Sequence, residues 1–133
     1  MLLIDANAIL RYTLQDNAEM AEKVRKLMAT SKIFIRYEVL AEVVYVLNKV
    51  YSLPRKEIAY GIKVFLSQSC VEVEAEEVLS FALETFSEKN LDFVDCILYS
   101  FRIIHGHDVF TFDRKLNALM RKTAQSNKIR PLT

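Results

Sequence analysis

Glycine and proline are scarce: the 133-residue chain holds two of each. That leaves little room for long loops or disordered linkers. Gly61 and Gly106 stand far apart and cannot build a phosphate-cradling G-x-x-x-x-G-K-[ST] loop. The two cysteines, Cys70 and Cys96, are isolated, with no C-x-x-C spacing. They read as small buried hydrophobes in a reducing compartment. The opening apolar run, Leu2-Leu3-Ile4, meets Asp5 too soon for a signal peptide. No stretch approaches the length that crosses a bilayer. A cytoplasmic protein with no membrane contact is therefore expected. No local sequence supports Ser-His-Asp or Cys-His catalysis. A formal net charge of +1 argues neither for nor against nucleic acid.

The length suits a single domain over 1–133, large enough to bury a core without staples. Charge is unevenly spread. Residues 71–92 are acidic, opposed only by Lys89, and residues 113–133 are basic, opposed only by Asp113. Solvated helix faces explain most such runs, although a basic end also suits phosphates.

Short apolar runs alternate with helical patterns along the whole chain. Strands are predicted at Leu2–Ile4, Ile33–Ile35, 71–73 and 109–112, with a short one near 128–130. Helices are predicted at 8–15, 17–30 with Asn17 as cap, and 37–50. Others are predicted from Pro54 to about 69, at 75–88, at 92–104 with Gly106 as C-terminal cap, and from about 114 to 123. This alternation predicts an α/β fold: a short parallel sheet flanked by helices on both faces.

In such sheets ligands bind beyond the carboxyl ends of the strands. Asp5 follows the first strand and Asp113 follows Val109-Phe110-Thr111-Phe112, so both are placed for that edge. Each also suits the plainer role of helix N-cap. From Tyr37 to Leu47 only Glu38 and Glu42 interrupt an apolar run, which predicts a buried helix. Glu38 at its start favours the helix dipole. Glu42, a turn deeper, needs a partner, a proton, a metal or a path to solvent. Asp92 and Asp95 share one face at the start of a helix, where an N-cap and a capping-box acid would also sit. Were Asp5, Glu42, Asp95 and Asp113 to converge, their repulsion would raise their pKa values or demand a cation. Oxygen donors without His or Cys point to Mg²⁺ or Mn²⁺, and so to metal-assisted hydrolysis of a phosphodiester.

Asp5-Ala6-Asn7 after an apolar strand, Leu40-Ala41-Glu42-Val43, Asp92-Phe93-Val94-Asp95 and Thr111-Phe112-Asp113-Arg114-Lys115-Leu116 closely resemble the PIN-domain family. The likeness is greatest to VapC-type ribonuclease toxins of prokaryotic toxin–antitoxin pairs. It covers nearly the whole chain, in order. Each motif is weak alone; the ordered set is fairly specific. The resemblance implies that Asp5, Glu42, Asp95 and Asp113 are catalytic and hold one or two Mg²⁺ or Mn²⁺ ions. It implies auxiliary roles for Asn7, Asp92 and Thr111, and cleavage of single-stranded or looped RNA that leaves a 5′-phosphate. It also implies an antitoxin partner.

Arg11, Arg36 and Arg114 lie near acid-bearing segments and are candidate phosphate contacts. Tyr12, Tyr37, Tyr45 and Tyr51 are candidate base-stacking residues, although Tyr45 is expected in the core. His105-Gly106-His107 reads as a helix end, where His favours the dipole, before it reads as a metal pair. Much apolar surface on the helices at 17–30 and 37–66 predicts a homodimer and a groove for a partner helix. Two other functions are weighed: a housekeeping PIN nuclease in RNA processing, and a non-catalytic RNA- or protein-binding module.

Overall fold

The structure is a computed structural model and describes residues 1–126. The chain clusters into two compact units, Met1–Glu76 and a second beginning at Glu77. The predicted strand near 128–130 lies outside the described residues.

The first unit holds the sheet. Its strands are β1 (Leu2–Leu3), β2 (Ile33–Ile35) and β3 (Val71–Val73), in spatial order β1-β2-β3. All are parallel, with Leu2 opposite Ile33 and Ile33 opposite Val71. Parallel neighbours need long crossovers. Here α1 (Ala6–Leu14) and α2 (Ala18–Thr30) make the first. The second consists of α3 (Tyr37–Tyr45), a π-helical turn (Val46–Val50) and α4 (Arg55–Leu66). In the π turn the Tyr51 N–H reaches the Val46 carbonyl, one residue further than in an α-helix. The Asn17 carboxamide caps α2 by accepting the Met20 N–H, as its side-chain chemistry predicts. Pro54 sits at the N-cap of α4, just before the first turn.

The core of this unit is aliphatic. Ile33 and Ile35 from the sheet, Ile9 from α1, Leu40 and Val43 from α3, and Ile58 and Ile62 from α4 are all buried. Each such side chain contributes about 1.5–3 kcal/mol through burial. The apolar run of α3 is nevertheless not buried all round. Glu38, Glu42 and Tyr45 are exposed, and Tyr45, expected in the core, keeps 63% of its surface in solvent. Helical geometry explains the correction: Leu40, Val43, Val44 and Leu47 fill the inner stripe, and 3.6 residues per turn carry 38, 42 and 45 to the opposite face.

The second unit is helical among the described residues. Helix α5 (Glu76–Glu88) buries Val78, Leu79, Ala82, Leu83 and Phe86, the face its periodicity predicts. Helix α6 (Phe93–His105) ends at Gly106, whose φ of 71° is the left-handed geometry that favours glycine. Helix α7 (Arg114–Ser126) comes last. Phe86 meets the edge of Phe93 with ring centroids 5.9 Å apart. The Ser100 hydroxyl donates to the Val78 carbonyl at 2.7 Å, and Tyr99 and Thr123 share a hydroxyl hydrogen bond of 2.7 Å. Cys96 is buried and Cys70 half-buried, both as free thiols.

One predicted strand does not form. Residues 106–113 adopt no regular structure, and among the described residues the sheet has three strands. The alternation at 109–112 is real: Val109 and Thr111 are half-buried, whereas Phe110 and Phe112 are 85% and 88% exposed. Alternation shows which side chains share a face, but a strand also requires a hydrogen-bonded neighbour. Among the described residues no helix is long and apolar enough to cross a membrane.

Candidate active site

Because the three strands are parallel, their carboxyl ends share one edge of the sheet. Asp5 lies just past β1, Arg36 leaves β2 and Glu74 leaves β3. The exposed Asp5 carboxylate accepts the Ala8 N–H at 2.9 Å and so caps α1. This is the plainer role open to it from sequence, and it leaves further lone pairs for other donors or a cation. Asn7 is exposed in the first turn of the same helix.

Arg36 is engaged by two carboxylates. Its Nε lies 3.0 Å from Glu38 and its Nη1 3.2 Å from Glu74. Bonding to its own backbone N–H, and then to Arg36, holds the Glu38 carboxyl below its usual range. Burial, then the charge of Glu74, pushes the Tyr37 phenol up. Glu74 escapes a reading based on motifs. Its signal is available all the same: it is an acid directly after Val71-Glu72-Val73, the same arrangement as Asp5 after β1. Arg11, a candidate for phosphate, is largely engaged within the fold. It bonds Asp16 at 2.8 Å and also Tyr51, which is the main cause holding its guanidinium above the usual range. Glu42 is exposed on the outer face of α3.

The second unit carries three of the candidate acids, at the starts of two helices. Asp92 occupies the N-cap of α6 without a side-chain capping bond, and half-buried Asp95 lies in the first turn. Burial pushes the Asp95 carboxyl up, and the charges of Asp113 and Asp92 push it further. The Asp113 carboxylate accepts the Leu116 N–H at 2.8 Å at the start of α7. Thr111 fixes the approach to that helix. Its hydroxyl accepts the Asp113 N–H at 3.0 Å, and its carbonyl accepts the Asn117 amide at 2.8 Å. Arg114 and Lys115 are exposed immediately after Asp113. His105 and His107 pack against Phe101, with centroids 6.0 and 5.9 Å from its ring, and lie 6.0 Å from each other.

These donors suit a hard divalent cation. They are all oxygens, and the Asp95 carboxyl, raised first by burial and then by the charges of Asp113 and Asp92, lies among negative charge that a cation would offset. Among the described residues no group of three or more His, Cys, Asp or Glu side chains is assembled to hold an ion. Magnesium is commonly held by one or two carboxylates together with waters and substrate phosphate, so a complete protein cage is not required.

The class defined by the fold is an α/β chain with a small parallel sheet and carboxylates at the starts of its helices. The PIN domain family model matches residues 2–122, and the chain belongs to that family. PIN domains are generally nucleases and generally use divalent metal ions. No curated protein and no solved structure matches the chain.

Proposed function

We propose that residues 1–133 work as one catalytic domain, a Mg²⁺- or Mn²⁺-dependent endoribonuclease acting in the cytoplasm. Asp5, Glu42, Asp95 and Asp113 are its carboxylate donors, and Asn7, Asp92 and Thr111 support them. The observation that carries this reading is the placement of acids at helix starts in the second unit, with Asp92 at the N-cap and Asp95 in the first turn of α6 and Asp113 capping α7. Grouped carboxylates repel one another, and a cation offsets that repulsion. Family membership supplies the reaction class.

A bound divalent cation supplies charge neutralisation on the phosphate as the transition state develops. The chain's own residues do the positioning. The Leu116 N–H fixes the Asp113 carboxylate, and the Thr111 hydroxyl holds the Asp113 backbone N–H. The Ala8 N–H fixes Asp5 in the same way. Such prior orientation avoids reorganisation during reaction. Arg114 and Lys115 hold the RNA backbone through phosphate contacts, which position but do not specify.

Within this reading the chain is the toxin of a toxin–antitoxin pair. Exposed Tyr45, Val50, Tyr60 and Val64 leave apolar surface for a homodimer contact and for an amphipathic antitoxin helix. The test is cleavage of total RNA by the purified chain with manganese and with EDTA, followed by end mapping. Metal-dependent cuts with 5′-phosphate ends are expected, together with their loss in Asp5→Asn. Equal cleavage by Asp5→Asn rules out the assignment. Co-expression with the adjacent reading frame tests the toxin role. A chain that is harmless alone and co-purifies with nothing is a housekeeping nuclease.

A further inference from the structure

Asp5, Arg36 and Glu74 occupy one rank across the carboxyl edge of the sheet. Leu3 lies opposite Phe34, and Phe34 opposite Glu72. Two residues further along each segment come Asp5, Arg36 and Glu74. The ion pair of Arg36 with Glu74, at 3.2 Å, carries this register past the ends of β2 and β3. Parallel strands run about 4.8 Å apart, so the rank sets Arg36 between an acid on either side. All three residues belong to the first unit, and the rank is a property of that unit alone.

The local structure does not ask for arginine at this place. Arg36 stands at the N-cap of α3 and makes no side-chain capping bond. Ser, Thr, Asp or Asn is preferred there. Nor are the two strands short of a fastener, because Lys32 already reaches Glu72 at 3.4 Å across the same pair. Two carboxylates instead converge on the one guanidinium, Glu38 on Nε at 3.0 Å and Glu74 on Nη1. A guanidinium is a planar fork of donors that takes carboxylate and phosphate in the same geometry. Glu38 and Glu74 thus hold the positions on Arg36 that a phosphate would take.

We propose that Arg36 grips a phosphate of the nucleic-acid substrate beside Asp5, and that Glu38 and Glu74 form a latch that holds the guanidinium in rank and competes with that phosphate. The inference rests on the nuclease reading. It adds the residue that takes the phosphate on the first unit's edge and the internal competitor that sets its affinity. Ion pairs in contact with solvent are weak, whereas a bidentate phosphate contact is strong, so the substrate can open the latch.

The test is fluorescence anisotropy of a labelled RNA hexamer in EDTA, read across a salt series, so that binding is measured without cleavage. Arg36→Gln is expected to lower the slope of log affinity against log salt by about 0.7, the value of one phosphate contact on an unpaired strand. Arg36→Lys keeps the charge and should keep the slope. Glu74→Gln is expected to tighten binding roughly two- to five-fold, the worth of one solvent-exposed ion pair. In the Arg36→Gln background the same change should do nothing, because the latch acts only through Arg36. Wild-type affinity and slope in Arg36→Gln overturn the grip. A gain from Glu74→Gln that survives in Arg36→Gln makes Glu74 a general charge and overturns the latch. Wild-type binding by Glu74→Gln with a lower melting temperature overturns it too, and leaves the pair as a strand fastener. The two readings fail separately. Latch-dependent binding without manganese-dependent cleavage removes the nuclease and keeps the latch; cleavage indifferent to Arg36 and Glu74 does the reverse.

Discussion

The charge of Asp113 reaches Asp95 and adds to the burial that already pushes its carboxyl pKa up, with Asp92 contributing in the same direction. A carboxyl with its folded pKa above the unfolded value favours folding at low pH. That contribution is lost as pH rises through the folded value. The metal-free protein should therefore lose stability as pH climbs from about 4 towards neutrality. In Asp95→Asn this part of the pH dependence should disappear, leaving a higher urea midpoint at pH 7. A variant less stable than wild type at pH 7 would show that the carboxylate is structural.

Metal binding should relieve the same repulsion. Millimolar Mn²⁺ is expected to raise the melting temperature and EDTA to return it. At a hundred times its dissociation constant a ligand stabilises by about 2.7 kcal/mol. The gain should shrink in Asp113→Asn. An unchanged melting curve with manganese would contradict a cation site.

Capping and catalysis can be separated at Asp5. Its carboxylate accepts the Ala8 N–H, and an Asn carboxamide caps about as well. Asp5→Asn should melt like wild type while losing metal-dependent cleavage. Asp5→Ala should lose cleavage and also about 1 kcal/mol of stability. Thermal denaturation beside an RNA cleavage assay distinguishes the two effects.

Glu42 is exposed, so no burial penalty is waiting to be relieved there. Glu42→Gln should change stability by less than about 0.5 kcal/mol, as surface substitutions do. Its cleavage should nonetheless fall to the level of Asp5→Asn. Full activity in Glu42→Gln would remove it from the carboxylate set.

Gly61 lies inside α4, and a methyl group added there would meet nothing within 4 Å. Gly61→Ala should stabilise by about 0.5–1 kcal/mol, because the helix no longer bears the entropy of glycine. Chemical denaturation should show a higher midpoint at unchanged slope.

Features governed by near neighbours were legible in the chain. The bounds of Ile33–Ile35 and Val71–Val73, the Asn17 cap, the Gly106 stop and the buried face of α5 all follow from local periodicity or local hydrogen bonding. So did the closeness of Asp92 and Asp95, which share a helical turn. Features that depend on a distant partner were not. Alternation at 109–112 sorted the side chains into two faces but could not supply a neighbouring strand. Tyr45 was misplaced because an almost wholly apolar helix hides its outer face. The two glutamates beside it were the marker of that face. The pairing of Arg36 with Glu74 joins the ends of separate strands, which no local pattern records.

The wide turn at Val46–Val50 makes chain length itself a structural quantity. It takes up one residue more than a regular α-helical turn would, at the end of the run that begins at Tyr37. Removing one residue there would restore the ordinary period and rotate the downstream segment by about 100° relative to Glu42. Leu47 would then compete for its place with a neighbour of different shape. The segment between Glu42 and Arg55 should thus accept changes of side chain more readily than the loss of a single codon.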